Sequence, residues 1–481
     1  MRGQLDCRAV SAVAAARRVG SVRSTRLLLV LLVVSVVLRG IVWSIALPPW
    51  QAPDEIDHYR YTERIAQGAL PRNDPSDYRS MAVAVSLGMT LYEANRYLAP
   101  GRPMDPELRQ NSSGGEPSGL SEDGGAAGGA TSYPPLYYTL ELAAYELPGL
   151  DTAGSRLAAM RIESSLIAAL AVVLTFLLAV RLGATRVLAL AAGLVVSAAP
   201  LFSQAGATVN PDILLVAGTT GLMLSIVGLR QDGYSARRLL VALAWVAVVA
   251  LSKPIGLVVA LLVAAAFLGP PSLRRFGLRR LAHPTSAAVI TVVLFVASAI
   301  RFHFASIHGV RFAMSYIWQF YLPPLPFMNH LFPPGPALAE TVWLEEGSGW
   351  FGWLAIRVPD SAADIEIWVT AIAVVLTAVL ALGVARHNTR GRDLIASALV
   401  VMALYIFSLH MADLSTFRTG ASILQGRYLL PILPLSASVM VAIVSTCRWR
   451  LAGYAMVGAL ASAWLYANVV GLATVLDAFS S

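Results

Sequence analysis

Apolar residues gather along the chain in about eleven runs, at approximately 27–47, 158–180, 188–204, 213–229, 239–252, 255–270, 286–301, 363–385, 394–410, 429–446 and 451–471. Most approach the roughly 20 residues with which an α-helix crosses a bilayer. The pattern therefore predicts an all-α polytopic membrane protein, built of helices rather than a barrel. The fifth and sixth runs are short and meet at Ser252-Lys253-Pro254. Proline cannot continue a helix without losing a backbone hydrogen bond, so these two are expected as a tight re-entrant pair.

The first run follows a basic N-terminus, 1–26, with Arg2, Arg8, Arg17, Arg18, Arg23 and Arg26. A signal peptide begins in the same way, but this run is longer than a normal h-region. Leu-Pro-Pro-Trp-Gln also stands where a small-residue cleavage site belongs. It reads as a retained first span. With the N-terminus inside, eleven spans place a short tail, 472–481, outside.

Composition sharpens this picture. The 481 residues are 57% hydrophobic and 13% charged, with mean hydropathy +0.65, whereas a soluble domain is about 25% charged. The net charge of +8 hides an asymmetry between the two sides of the membrane. The alternate loops 181–186, 230–238, 271–283, 386–393 and 448–450, with the N-terminus, hold 20 of the 36 Lys and Arg but only three acids, Asp6, Asp232 and Asp393. Short basic loops face the cytoplasm, and the charge is accounted for without nucleic acid. Cys7 and Cys447 both fall on that side, where no structural disulfide is expected.

The acids lie outside, in two long loops. Residues 48–157 carry a Gly/Ser-rich stretch at 111–132, read as a flexible lid or disorder, and "YPPLYYTLELAAYELPG" at 133–149, an amphipathic interfacial helix. Residues 302–362 carry Trp318, Trp343, Trp350 and Trp353 among prolines and glycines, suited to headgroup level or to a groove for something half lipid and half sugar.

The densest polar motif is "APDEIDH". Pro48, Pro49 and Pro53 end the first span, and Asp54 is the expected N-cap of a helix running to Gly68. Asp54 and His58 then share a face, and Asp57 turns toward solvent. An ordinary capped helix start explains such acids in isolation. Here other polar groups collect on the same side: Asp212 after Pro211, Lys253, Arg301 with His303, and "QGRYLLP" with Gln425, Arg427 and Tyr428. Cations beside outer span ends either snorkel or grip an anion such as a phosphate. Arg39 lies within the first span, with Arg161 and Glu163 as possible partners. The chain has no Gly-rich phosphate loop, no HExxH and no nucleophile triad signature.

In this order, Pro-Asp-Glu-x-x-His at 53–58, "YPPLYY", "NPD" before a later span, "GWFGWL" at 349–354 and Gly-Arg-Tyr at 426–428 resemble the GT-C glycosyltransferase superfamily, and within it the DUF2142 membrane proteins. The resemblance covers nearly the whole chain. It implies transfer of a sugar from a polyprenyl-phosphate donor to a glycan, lipid or protein acceptor at the outer face of the cell membrane. By the same token Asp54, Glu55 and His58 are the expected catalytic residues, with Asp54 as base. Asp212, Lys253, Arg301, Gln425, Arg427 and Tyr428 would line the substrate site. A divalent cation, Mg or Mn, held by Asp54 and Glu55 is admitted but not required. A transporter or flippase of lipid-linked saccharides is the alternative, and would need broken helices and a polar track near the midplane.

Overall fold

The computed structural model describes residues 2–70, 129–264, 307–332, 338–351, 356–387, 389–417, 424–446 and 450–480. The expected seventh span, the end of the sixth, Trp353, Cys447 and residues 111–128 of the Gly/Ser-rich stretch lie outside these residues. Besides a helix beginning at residue 256, the α-helices of seven residues or more are α1 (Arg2–Ala46), α2 (Glu55–Ala66), α3 (Leu136–Tyr145), α4 (Ala153–Arg181), α5 (Arg186–Ala198), α6 (Pro200–Gly206), α7 (Asp212–Asp232), α8 (Ala236–Ala250), α9 (Ile307–Tyr321), α10 (Asp360–His387), α11 (Thr389–Thr416), α12 (Leu433–Thr446) and α13 (Arg450–Ser480).

The protein is an all-α membrane protein. Among the described residues seven helices are long and apolar enough to span, or eight if the bent pair α5–α6 is counted as one. They cover the first, second, fourth and eighth to eleventh expected spans. The third run differs from expectation: it is broken by a 73° bend, because Pro200 at the start of α6 cannot donate the helix hydrogen bond. The fifth run is a 15-residue helix, α8, followed by a turn and a new helix from residue 256. Gly256 is required there, since a Cβ would strike the Val249 carbonyl. The expected C-terminal tail is instead helical, continuing the last span to Ser480.

Helix α4 lies at the centre, packed against α1, α5, α7 and α12. Buried alanines and valines such as Ala168, Ala171, Val172, Ala192 and Val196 let these backbones approach closely. By contrast, α1 and α10 present Leu27, Leu31, Leu38, Trp368 and Val375 outward, as lipid-facing helices do. The second long loop closes with an antiparallel pair, β1 (Trp350–Phe351) and β2 (Ile356–Arg357), whose Arg357 lies 3.8 Å over the Trp350 ring.

Polar groups separate to the two ends of the bundle. At one, Arg181 pairs with Asp232 at 2.8 Å and the Thr185 amide donates to Ser445, which joins the loops 181–186 and 230–238 to the end of α12. At the other, the 48–58 motif meets residues 133–138, 209–212, 253 and 425–428.

Candidate active site

The entry to α2 is a strained turn. Trp50 (φ 68°) and Asp54 (φ 61°) are the non-glycine residues with left-handed backbone among those described. Each such residue costs on the order of 1–3 kcal/mol and persists only where its surroundings enforce it. Asp54 holds the N-cap position, but its side chain makes no cap bond. The expected cap is thus corrected: the carboxylate is turned out of its own helix and across to Arg427, 373 residues away.

That turn completes a chain of four charges. Arg427 Nη2 donates to Asp54 Oδ2 at 2.8 Å, Arg427 Nε lies 3.9 Å from Asp212 Oδ2, and Lys253 Nζ donates to Asp212 Oδ1 at 2.5 Å. Four distant segments therefore converge: the α2 entry, the start of α7, the turn after α8 and the 3-10 helix Gly426–Ile432. The side chains of Asp212, Lys253 and Arg427 are 4%, 10% and 12% exposed, whereas that of Asp54 is 32% exposed. Asp54 is the member that faces out. Burial pushes its carboxyl up, but Arg427, His58 and Lys253 together hold it below the ordinary carboxylate value. Burial likewise disfavours the Lys253 ammonium, and Asp212 more than restores it, leaving its pKa raised.

Hydrogen bonding within the cluster is incomplete. Asp212 Oδ2, Arg427 Nε and Gln425 Oε1 are buried without a hydrogen-bond partner. Such atoms are costly inside a protein and suit a site whose contacts are completed by a bound polar group. Aromatic rings wall it: Lys253 Nζ lies 4.9 Å from the Tyr428 ring centroid and 5.5 Å from that of Tyr133. The Tyr428 carbonyl is fixed by the Tyr405 hydroxyl at 2.7 Å.

Glu55 stands apart from this cluster. Its side chain is 0% exposed and is held by Arg161 through two parallel bonds of 2.8 and 2.6 Å. Its oxygens also accept the Trp50 and Val209 amides. So committed, Glu55 is not available as a metal ligand. Asp54, already paired with Arg427, does not make a divalent site alone, and no group of three His, Cys, Asp or Glu residues among those described has the arrangement for one. The residues do not fit the admitted Mg or Mn. Arg161 is correspondingly not the partner of Arg39. Arg39 donates to the Ser197 carbonyl freed by the α5–α6 bend, and Glu163 accepts the Ala144 amide.

His58 is buried, with Nδ1 2.9 Å from the Tyr138 hydroxyl. Burial drives its pKa down to about 4, Lys253 and Arg427 acting in the same direction against Asp54, so the imidazole is neutral near pH 7. Asp57, expected in solvent, is half-buried. Arg301 and His303 lie outside the described residues.

Sequence reading missed Glu346. It is buried, and its Oε2 accepts the Gly426 amide at 3.0 Å. Burial lifts its carboxyl to about 7 against the pull of that amide and of Arg427. Gly426 explains itself here: a Cβ would sit 2.6 Å from Gly347 N and 2.9 Å from Glu346 C. The Gly-Arg pair was the available signal, since only glycine lets the Arg427 segment lie directly on the Glu346–Gly347 backbone.

No curated protein matches the chain. Among solved structures it is similar to ArnT from Cupriavidus metallidurans bound to undecaprenyl phosphate, with 14% identity, TM-score 0.46, and coverage of 93% of this chain and 76% of that one. It is also similar to the apo oligosaccharyltransferase of Archaeoglobus fulgidus, with 12% identity, TM-score 0.44, and coverage of 92% and 56%. Residues 37–436, most of the chain, match the family model described as "Predicted membrane protein (DUF2142)", and the protein belongs to that family.

Proposed function

We propose that this protein is an integral membrane glycosyltransferase that moves a sugar from a polyprenyl-phosphate donor to a glycan, lipid or protein acceptor at the extracytoplasmic face. The observation that carries the reading is the Asp54–Arg427–Asp212–Lys253 chain, in which two largely buried cations, with Arg427 Nε and Asp212 Oδ2 left without hydrogen bonds, lie beside one outward-facing carboxylate. Arg427 and Lys253 have the chemistry to hold a lipid phosphate and to stabilise it as it leaves. Asp212 keeps them charged and in place.

An acceptor hydroxyl has a pKa far above 7, so its attack needs a carboxylate within hydrogen-bond reach. Asp54 is suited to that role, but while Arg427 holds it the carboxylate is a weak base. Phosphate binding at Arg427 would take over the guanidinium, release Asp54 and raise its basicity as the donor arrives. The hydroxyl oxygen then bonds to the anomeric carbon, the carbon–oxygen bond to phosphate breaks with its electron pair, and Asp54 takes the proton. One displacement inverts the anomeric centre. Outward placement of the site agrees with the basic loops 181–186 and 230–238 lying at the opposite end of the bundle.

The α5–α6 bend is what a transporter of lipid-linked saccharides would also have. Its freed carbonyls are used internally: Arg39 and Ser203 donate to Ser197, and Asn468 donates to Ala198. The bend is therefore satisfied by the protein and favours the transferase. The test is analysis of envelope glycans and lipids from cells carrying wild-type or D54N protein. The expected result is loss of one glycosylated product with retention of its lipid-linked donor. An unchanged profile, with D54N present in membranes at wild-type level, would overturn the reading.

A further inference from the structure

The outer end of the bundle holds two arginine–carboxylate pairs, and the one formed by Arg161 and Glu55 has no place in the transfer just described. All of its capacity is turned inward. Arg161 Nη1 donates to the carbonyls of Ser44 and Leu47, each at 2.7 Å, and Nη2 reaches that of Pro48 at 3.1 Å. Ser44 lies in the last turn of α1, and Leu47 and Pro48 follow it, where the helix supplies no further donors. Its remaining bonds go to Glu55. Glu55 in turn accepts the Trp50 amide at 3.1 Å through Oε2 and the Val209 amide at 3.2 Å through Oε1.

Each contact lies next to a residue of the site. Trp50 and Asp54 are the two left-handed residues of the α2 entry; Glu55 binds one directly and follows the other in sequence. Val209 precedes Asn210-Pro211-Asp212, where Asn210 Oδ1 accepts the Asp212 amide at 2.9 Å and sets the start of α7. One buried carboxylate thus fixes the backbone that presents Asp54 and the backbone that presents Asp212. The two segments are about 155 residues apart, and Glu55 ties them together.

We propose that Arg161 and Glu55 form a positioning pair, a node from which both carboxylates of the site are seated against Arg427 and Lys253. The pair touches no substrate; it acts through Asp54 and Asp212. Preorganised sites need such supporting contacts, because a loosely held charge loses geometry before the fold loses stability. The proposal rests on the reaction assigned above for its catalytic meaning, but its test is read on folding and holds whether or not transfer is detected.

The test compares thermal melting of the full-length protein in detergent across two double-mutant cycles, Asp54 with Arg427 (D54N, R427Q) and Asp212 with Lys253 (D212N, K253M). In the wild-type background the melting-temperature loss of each double variant should differ from the sum of its singles, because the partners interact. In an E55Q background, which removes the charge and keeps the side-chain shape, the losses should become additive in both cycles. A pair that merely stabilises the fold would lower every melting temperature and leave the non-additivity intact, which overturns the proposal. Should E55Q not accumulate, R161K asks the same question from the other partner. Failure of both to accumulate would also overturn it, since the pair would then serve folding as a whole. A D54N protein that melts as expected yet leaves the glycan profile unchanged would remove the transferase reading alone.

Discussion

Asp54 and Glu55 are consecutive carboxylates, each bound to a buried arginine, and they have opposite characters. Glu55 is completely enclosed, doubly bonded to Arg161 and further satisfied by two amides. Asp54 is partly exposed, holds Arg427 through one bond, and belongs to a cluster with polar atoms left over. A saturated pair resists exchange of partners, because any newcomer must replace bonds of equal quality. An unsaturated pair at the surface invites it. The difference lies in how fully the bonding capacity is used, since residue type and charge are nearly the same.

The comparison breaks most sharply under substitution. D54N should lower transfer by about 10²–10⁴-fold, the usual contribution of a positioned base, while folded protein still accumulates in membranes; a glycan assay and a melt on the same preparation check both halves. R161A should do the reverse, destabilising by about 3–5 kcal/mol because Glu55 is left buried and unpaired, seen as loss of folded protein from membranes. R427K keeps the charge but loses the forked geometry, and should weaken retention of a polyprenyl phosphate by about tenfold, roughly 1.4 kcal/mol, in a direct binding assay.

Smaller effects sharpen the same contrast. G426A forces a methyl against the Glu346–Gly347 backbone and should cost on the order of 1–3 kcal/mol, with weaker lipid-phosphate binding because Arg427 moves with it. His58 supplies a pH test. Its folded pKa of about 4 lies below the ordinary 6.5, so the unfolded chain binds a proton that the folded one refuses. The stability it contributes is complete above pH 6.5 and is lost as pH falls from 6.5 toward 4. Melting curves across that window should lose this part of their acid sensitivity in H58Q.

Much of this was legible in the sequence, and the limits have physical causes. Hydropathy located the first, second, fourth and eighth to eleventh spans because a bilayer demands long apolar runs, and Asp54, His58, Asp212, Lys253, Arg427 and Tyr428 are brought together at one end of the bundle. The α5–α6 bend escaped because both halves are apolar and only Pro200 distinguishes them from a continuous helix. Arg161 was read against Arg39 because both lie in spans; its pairing with Glu55 crosses 106 residues, a separation no local pattern encodes. Glu346 begins a four-residue helix, Glu346–Gly349, too short for a sequence pattern to reveal, that packs against Gly426. Left-handed backbone at Asp54 was invisible because aspartate is also an ordinary N-cap.

That backbone sets two demands on position 54 that pull in different directions. The chemistry asks for a carboxylate, while the torsion angle is easiest for glycine and next for asparagine. A D54G protein would therefore lose its base and relax its turn in one step; the relief should offset part of what leaving the buried Arg427 without its carboxylate costs, so that D54G melts above D54A while doing no chemistry. If so, position 54 gives up backbone ease for turnover.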